Sequence, residues 1–471
     1  MKEYKELLGY VEIENTNYPF HFSSETFDLK VFPPTIDLWN EKKDSLFMNF
    51  GRLKPNKNNW IGTHQIEGTT AQGYHILFLV SDGNRNFNGF ETFHVIWMVY
   101  HRNKSYDFSQ INGLRFSGGD INLFYPAHRI LKPKFTNRVD GLGYKELQIS
   151  SKSEDYQSCG KYRAAPHIDA EIRINSFATL HFQNEKNPMD AESVLLVDFS
   201  CPVTIDTVIQ TIHDLFLFFV FTCYRRNICF PKMDVYWFNS ENKKDFDGSV
   251  FLSRKSTPES HNRVQDRIIG FDFWGKKMSR MLTAIKNKKL DFEHVCDDIS
   301  SQRSYPHSRF ILVLTEFERE FRNIYGNNYQ RSAVFAETKK DVVAALDKLA
   351  NEKTGRSKKQ VKEFIKSIQN TDNSYSSRVK AALFDCIDIM RSFIEREYGK
   401  CSPSIIDGVS NRVGDLRNGF AHSRLDLKIK PIHLNDIVII EMLTYAIRLK
   451  QYEKDPEKVQ KAIAKLFGIL F

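Results

Sequence analysis

The 471-residue chain predicts an α+β fold: a strand-rich N-terminal module, sandwich or barrel-like, followed by a C-terminal all-α helical bundle. Two observations carry this. Up to about residue 200, aromatic and β-branched runs are broken at short intervals by Gly, Pro, Asn and Asp. From about residue 264 onward, apolar residues recur three and four apart, the period of an amphipathic helix. The domains follow as 1–203, strand-rich; 204–304, a mixed connecting region packed on it; and 305–471, the helical bundle.

In the first part Gly9 to Ile13 alternates as a strand does. Phe90 to Tyr100 is apolar at both parities, which suits a central strand covered on both faces. Gly113–Phe116, Leu123–Tyr125, Ala170–Ile174 and Val194–Asp198 are further strand candidates, and Asn112-Gly113 and Ser117 to Asp120 are turn candidates. At Thr204 the period changes. Ile205, Ile209, Ile212, Leu215 and Phe219 mark a helix ended by Arg225-Arg226. Strands return at Ile228–Phe238 and Gly248–Leu252, with an exposed loop over Asn239 to Gly248 and another over Ser253 to His261.

The C-terminal helices each show one apolar stripe that must be buried. Ser308–Tyr325 is the first. Asp341–Leu346 and Val361–Ile368 belong to the next two, separated by a loop over Asn351 to Lys359. Val379, Leu383, Cys386 (or Ile387), Met390 and Ile394 stripe a long fourth. Ile406, Val409, Val413, Leu416 and Phe420 stripe a fifth, begun by Ser402-Pro403-Ser404. Leu434–Lys450 and Pro456–Leu470 complete the bundle.

Composition excludes several classes. Seven cysteines form no Cys-x-x-Cys pair and are odd in number, which argues against a disulfide framework and a finger-type zinc site; Cys223 and Cys229 read as buried thiols. The N-terminal residues lack a signal-peptide core. The longest apolar run, Leu215–Thr222, is far short of the roughly 20 residues of a membrane span, so a cytoplasmic protein is expected. His94 and His101, on one strand at opposite parity, cannot share a metal. A net charge of +9 is compatible with a polyanionic partner but is explained equally well by a solvated surface.

The chemistry concentrates in Arg417-Asn418-Gly419-Phe420-Ala421-His422. A guanidinium grips phosphate oxygens in a fork and never deprotonates. Imidazole exchanges protons near neutrality. Asn418 supplies an amide to orient either. That set serves attack by a ribose 2′-hydroxyl on its own phosphate, where one group takes the hydroxyl proton and another protonates the leaving 5′-oxygen. The nucleophile is internal, so no metal is required to activate water. One such Arg–His spacing is what chance supplies, and without context a helix-end Arg and a capping His is the plainer interpretation. Arg417 lies about 100° off the apolar stripe, and His422 about 140° round from Arg417 in a continuous helix. Either the helix ends near Gly419 to Phe420, or the pair is completed by a second protomer.

With these residues in view, 305–471 resembles a HEPN domain, whose motif is an Arg and a His with a polar residue, often Asn, second; Arg417, Asn418 and His422 match it. The two-part layout resembles the ApeA-type proteins of bacterial anti-phage abortive infection. The resemblance implies a metal-independent endoribonuclease without cofactor, leaving a 2′,3′-cyclic phosphate and a 5′-hydroxyl. It also implies a composite site across a homodimer, with RNA (tRNA among the candidates) as substrate and a phage-derived trigger acting through the N-terminal part. The alternative is a non-catalytic HEPN module for dimerisation or for binding RNA or another partner.

Weaker candidates remain. Lys353, Arg356, Lys358, Lys359, Lys362 and Lys366 form a basic cluster that could hold an RNA backbone, although a solvated helix face is the plainer account. Glu316, Glu318 and Glu320 read as a solvated acidic face with Arg319 and Arg322. Asp415 could pair with a neighbouring cation.

Overall fold

The computed structural model describes residues 6–13, 16–32, 64–81, 84–85, 90–126, 129–137, 144–151, 155–180, 189–253, 259, 267–326, 333–369, 374–421 and 428–470. The chain divides into two compact units, Met1–Asn287 and Lys288–Phe471. The boundary expected at 304/305 thus falls at 287/288, and residues 204–287 belong to the first unit.

The first unit is built on antiparallel strands. β1 (Glu6–Ile13), β2 (Thr16–Ser23), β3 (Asp28–Val31), β4 (His64–Thr70), β5 (His75–Val80), the short β6 (Asn84–Arg85) and β7 (Glu91–His101) come first. Pairing runs β7–β3–β2–β1–β4–β5, and β5 returns to β7, closing a six-stranded barrel. Closure removes the sheet edges. Inward residues of these strands, among them Val11, Phe20, Phe22, Leu29, Phe78, Phe93 and Val95, form one apolar core.

β7 explains the doubly apolar run of the sequence. Its first half pairs with β3. Trp97 to Tyr100 bond β5 on one side and β15 (Lys244–Leu252) on the other. The strand is therefore shared between the barrel and an open antiparallel sheet. That sheet continues from β15 through β14 (Lys232–Phe238), β8 (Ile111–Ser117), β13 (Met189–Val203) and β12 (Ile168–Leu180) to β11 (Gln157–Ala165). A separate pair, β9 (Leu131–Asn137) and β10 (Tyr144–Ser151), completes the strands.

Three local expectations are corrected here. Leu123–Tyr125 is not a strand: the helix α1 (Asp120–Phe124) occupies it, tied down by a buried Asp120–Arg225 ion pair and by Asp120 Oδ2 accepting the Cys229 amide at 2.7 Å. Asn112-Gly113 is not a turn but the body of β8. Gly113 is there because a Cβ would stand 2.3 Å from the Tyr236 ring and from the Val197 carbonyl oxygen. Asn239 to Gly248 is a loop only at its start, since β15 begins at Lys244 and pairs with β14.

The helix α2 (Ile205–Cys223) runs where the period changed, and ends at Tyr224 in the left-handed conformation (φ 50°), before Arg225. By length and apolar composition it could cross a membrane, yet 72% of that window is buried inside the protein. It packs with a short helix, α3 (Phe271–Trp274), and with α4 (Met278–Lys286), its Phe218 and Phe221 set edge-on to Trp274. Cys223 and Cys229 are buried and unbridged. Of the expected loop over Ser253 to His261, most lies outside the described residues.

The second unit comprises α5 (His307–Tyr325), α6 (Ala333–Glu352), α7 (Gly355–Gln369), α8 (Tyr375–Asp385), α9 (Ile387–Tyr398), α10 (Pro403–Ala421), α11 (Pro431–Leu449) and α12 (Pro456–Phe467). The long fourth helix of the sequence reading is two helices, broken at Cys386. The loop expected over Asn351 to Lys359 shrinks to Lys353-Thr354. α11 is the axle: α5, α8, α9, α10 and α12 all pack on it. It pays for its depth with paired polar groups. Asp436 receives Arg412 in a fork (2.8 and 2.7 Å) and the Tyr398 hydroxyl, Glu441 receives Arg309 (2.9 Å) and the Tyr305 hydroxyl, and Arg448 meets Glu320. Buried charges left without such partners would be costly, so these pairs also fix how the helices align. α6 and α7 form a hairpin with a small core of its own around Ala350, Val361 and Ile365.

Candidate functional site

α10 starts where the sequence places it. Ser402 Oγ accepts the Ile405 amide at 3.4 Å and Pro403 is the first helical residue. Ile406, Val409, Val413 and Leu416 are buried, as their spacing requires, and Phe420 is half-buried against Phe310 and His307. The helix does not break at Gly419. It runs on to Ala421, with Gly419 buried in the packed face. A glycine can end a helix, but it can equally let a neighbour approach a buried face, and here the helix continues. His422 lies outside the described residues.

Arg417 stands one step off the buried stripe with 41% of its side chain exposed. Its NH2 donates to Glu318 Oε2 at 3.3 Å. The same carboxylate accepts Arg322 NH2 at 2.6 Å and Arg378 NH1 at 2.5 Å, both on Oε1. Three helices thus converge: α5 brings Glu318 and Arg322, α8 brings Arg378, and α10 brings Arg417. Their approach depends on Gly414, where a Cβ would lie 2.0 Å from Ser376 Oγ and 3.3 Å from Ser376 Cβ. Beneath them Tyr375 is buried and donates its hydroxyl to the Leu314 carbonyl at 3.0 Å; burial, with Glu318 adding to it, holds that phenol well above its ordinary range. Asn418 and Asp415 are exposed.

The acidic residues of α5 are therefore not a solvated face. Glu316 and Glu320, one turn apart, are 5% and 1% exposed, and Glu318 is the hub just described. Burial, reinforced by the Glu320 charge, pushes the Glu316 carboxyl up to about 8. Burial pushes Glu320 to about 7, against the pull of Arg448. Sequence reasoning missed this because Glu at i and i+4 reads as polar surface. The signal available was a stripe of Phe310, Val313, Phe317 and Phe321 that leaves positions 316 and 320 on its border.

Lys353, Arg356, Lys359, Lys362 and Lys366 are exposed and Lys358 is half-exposed, all at the start of or along α7. They lie on the hairpin, on different elements from Arg417. In the first unit His94 is exposed beside Asp28 (3.7 Å), whereas His101 is buried, stacked on His75 at 5.2 Å, and its pKa is lowered by burial and by that second imidazole. A cavity of about 460 Å³ there is walled by Tyr106 and Trp237, with Asp107, Gln110 and Asp245. Its charged lining groups are acidic, which does not suit phosphate.

No family model, curated protein or solved structure matches this chain.

Proposed function

We propose that the chain is a HEPN-type, metal-independent endoribonuclease acting in anti-phage abortive infection, working as a homodimer in the cytoplasm under a phage-derived trigger. The observation that supports it best is the setting of Arg417: a part-exposed guanidinium within a cluster of three, one turn before the end of α10, with Asn418 exposed beside it. In sequence, His422 directly follows Ala421, the last described residue of α10.

The 2′-oxygen attacks the adjacent phosphorus and forms the new P–O bond as its proton passes to a base. The bond to the 5′-oxygen breaks as an acid protonates it, leaving a 2′,3′-cyclic phosphate and a 5′-hydroxyl. His422 serves one of the two proton transfers. Arg417 offsets the charge gathering on the equatorial oxygens. A helix continuous through Gly419 favours the composite arrangement, in which a second copy supplies the histidine.

The test is cutting of RNA by the purified full chain with EDTA present, alone and with infected-cell extract. Cutting is expected to persist, to leave cyclic-phosphate ends, and to stop on a substrate 2′-deoxy at the scissile nucleotide. EDTA-sensitive cutting, or undiminished cutting by Arg417→Ala and His422→Ala, overturns the proposal. One observation favours the second reading, a non-catalytic module for dimerisation or for binding RNA or a partner. Arg417 is ion-paired to Glu318, and so ties α10 to α5. Binding without cutting under every condition would select it.

A further inference from the structure

The geometry points to a phosphodiester-binding site formed by Arg322 and Arg378 together with Arg417, with Glu318 as the resident anion that an RNA phosphate must compete with. This deepens the ribonuclease proposal and rests on it for the identity of the anion. The charge count is the first reason. Three guanidiniums meet one carboxylate, so the cluster carries two uncompensated positive charges, and among the described residues no second carboxylate pairs with any of the three. One arginine would suffice to pair Glu318. Holding two more beside it costs repulsion that an incoming anion relieves.

The second reason is access. Arg322 and Arg417 have side chains 50% and 41% exposed, whereas Arg378 and Glu318 are 10% and 15% exposed. Arg378 and Glu318 therefore form a floor, and the other two present free N–H groups to solvent. Arg417 also makes the longest contact, 3.3 Å against 2.5 and 2.6 Å for the others, and is the one released most readily. The third reason is chemical. Guanidinium forks match the two non-bridging oxygens of a phosphodiester. A phosphorane reached by internal attack carries one more negative charge than the diester, so a doubly positive cluster favours the transition state over the ground state. Arg322 and Arg378 are positioning and binding residues in this scheme, and Glu318 lowers resting affinity.

The experiment is titration of the full chain with an RNA oligonucleotide carrying 2′-O-methyl groups throughout, which keeps the phosphodiester backbone and has no free 2′-hydroxyl to attack with, at several salt concentrations. Arg322→Ala should weaken binding about 5–10-fold and flatten the salt dependence by about one counterion. Glu318→Gln should tighten binding at least several-fold and steepen it. Unchanged binding by Arg322→Ala, within twofold, overturns the site. So does a folded Glu318→Gln protein that binds no better. Arg322 is half-exposed, so its variant stays informative if Glu318→Gln fails to fold. Cutting of ordinary RNA, measured alongside, separates the two proposals. Variant-sensitive binding with no cutting by the parent leaves the anion site standing and sinks the nuclease. Cutting that needs Arg417 but ignores Arg322 and Glu318 does the reverse.

Discussion

Replacing Glu316 with Gln should flatten the pH dependence of the helical unit's stability. Glu316 is 5% exposed, and its nearest cation, Arg319 NH1 at 3.6 Å, is shared with Asp291. Burial first, and the neighbouring Glu320 charge second, raise its pKa from 4.5 to about 8. The folded protein therefore keeps a proton that the unfolded chain gives up above 4.5. Stability from this group is fully present below pH 4.5 and is lost as pH rises through about 8. Within that window the slope is roughly 1.4 kcal/mol per pH unit, so raising the pH from 5.5 to 7.5 should cost on the order of 2 to 3 kcal/mol. In a unit of this size that is a fall of several degrees in Tm, at roughly 2–4 °C per kcal/mol. Gln keeps the shape and a neutral polar head, and removes the proton. Thermal and urea unfolding of parent and Glu316→Gln, followed by far-UV circular dichroism between pH 5 and 8.5, gives the measurement. The variant should lose less stability than the parent across the window. Parallel curves, or a steeper fall in the variant, would refute the reasoning.

Arg448→Ala removes the ion-pair partner of the buried Glu320 and should destabilise the bundle by up to about 3–5 kcal/mol above the pH of about 7 where Glu320 ionises, and by less in acid, read from urea midpoints on either side. Gly414→Val forces α8 away from α10 at Ser376; a loss of about 1–3 kcal/mol should come with weaker oligonucleotide binding, because the same approach aligns Arg378 with Arg417. Neutralising Lys358, Lys359 and Lys362 together should leave the melting temperature within about 1 °C, as exposed charges contribute little. If α7 tracks RNA, that variant should flatten the salt dependence by two to three counterions; an unchanged slope would assign the cluster to solvation. Arg417→Lys keeps the charge but loses the fork, and should cut RNA much more slowly than the parent; equal rates would remove bidentate recognition from the mechanism.

Much of this molecule was legible in the sequence because the signals are local. Period 2 against period 3.6 separates the strand-rich from the helical part, and the stripe from Ile406 to Leu416 gives both the extent of α10 and its buried face. The angular offset of Arg417 follows from the same stripe. The doubly apolar run of β7 announced a strand covered on both sides. Only the tertiary structure decided that it serves two sheets at once and that β5 closes the barrel on it, because pairing partners are set by contacts far apart in sequence. A glycine pair of meanings likewise could not be resolved locally. Gly419 and Gly113 looked like a break and a turn, and both sit inside regular elements, at a buried helix face and under the Tyr236 ring. The acidic residues of α5 show the same limit most sharply. Their sequence context is that of a solvated face, and it took Arg448 from α11, and Arg378 and Arg417 from α8 and α10, to make burial tolerable for Glu320 and to turn Glu318 into the centre of a cationic cluster. A sequence sets which side chains can ionise, but the charge a buried site carries is fixed by partners that only the packed fold delivers.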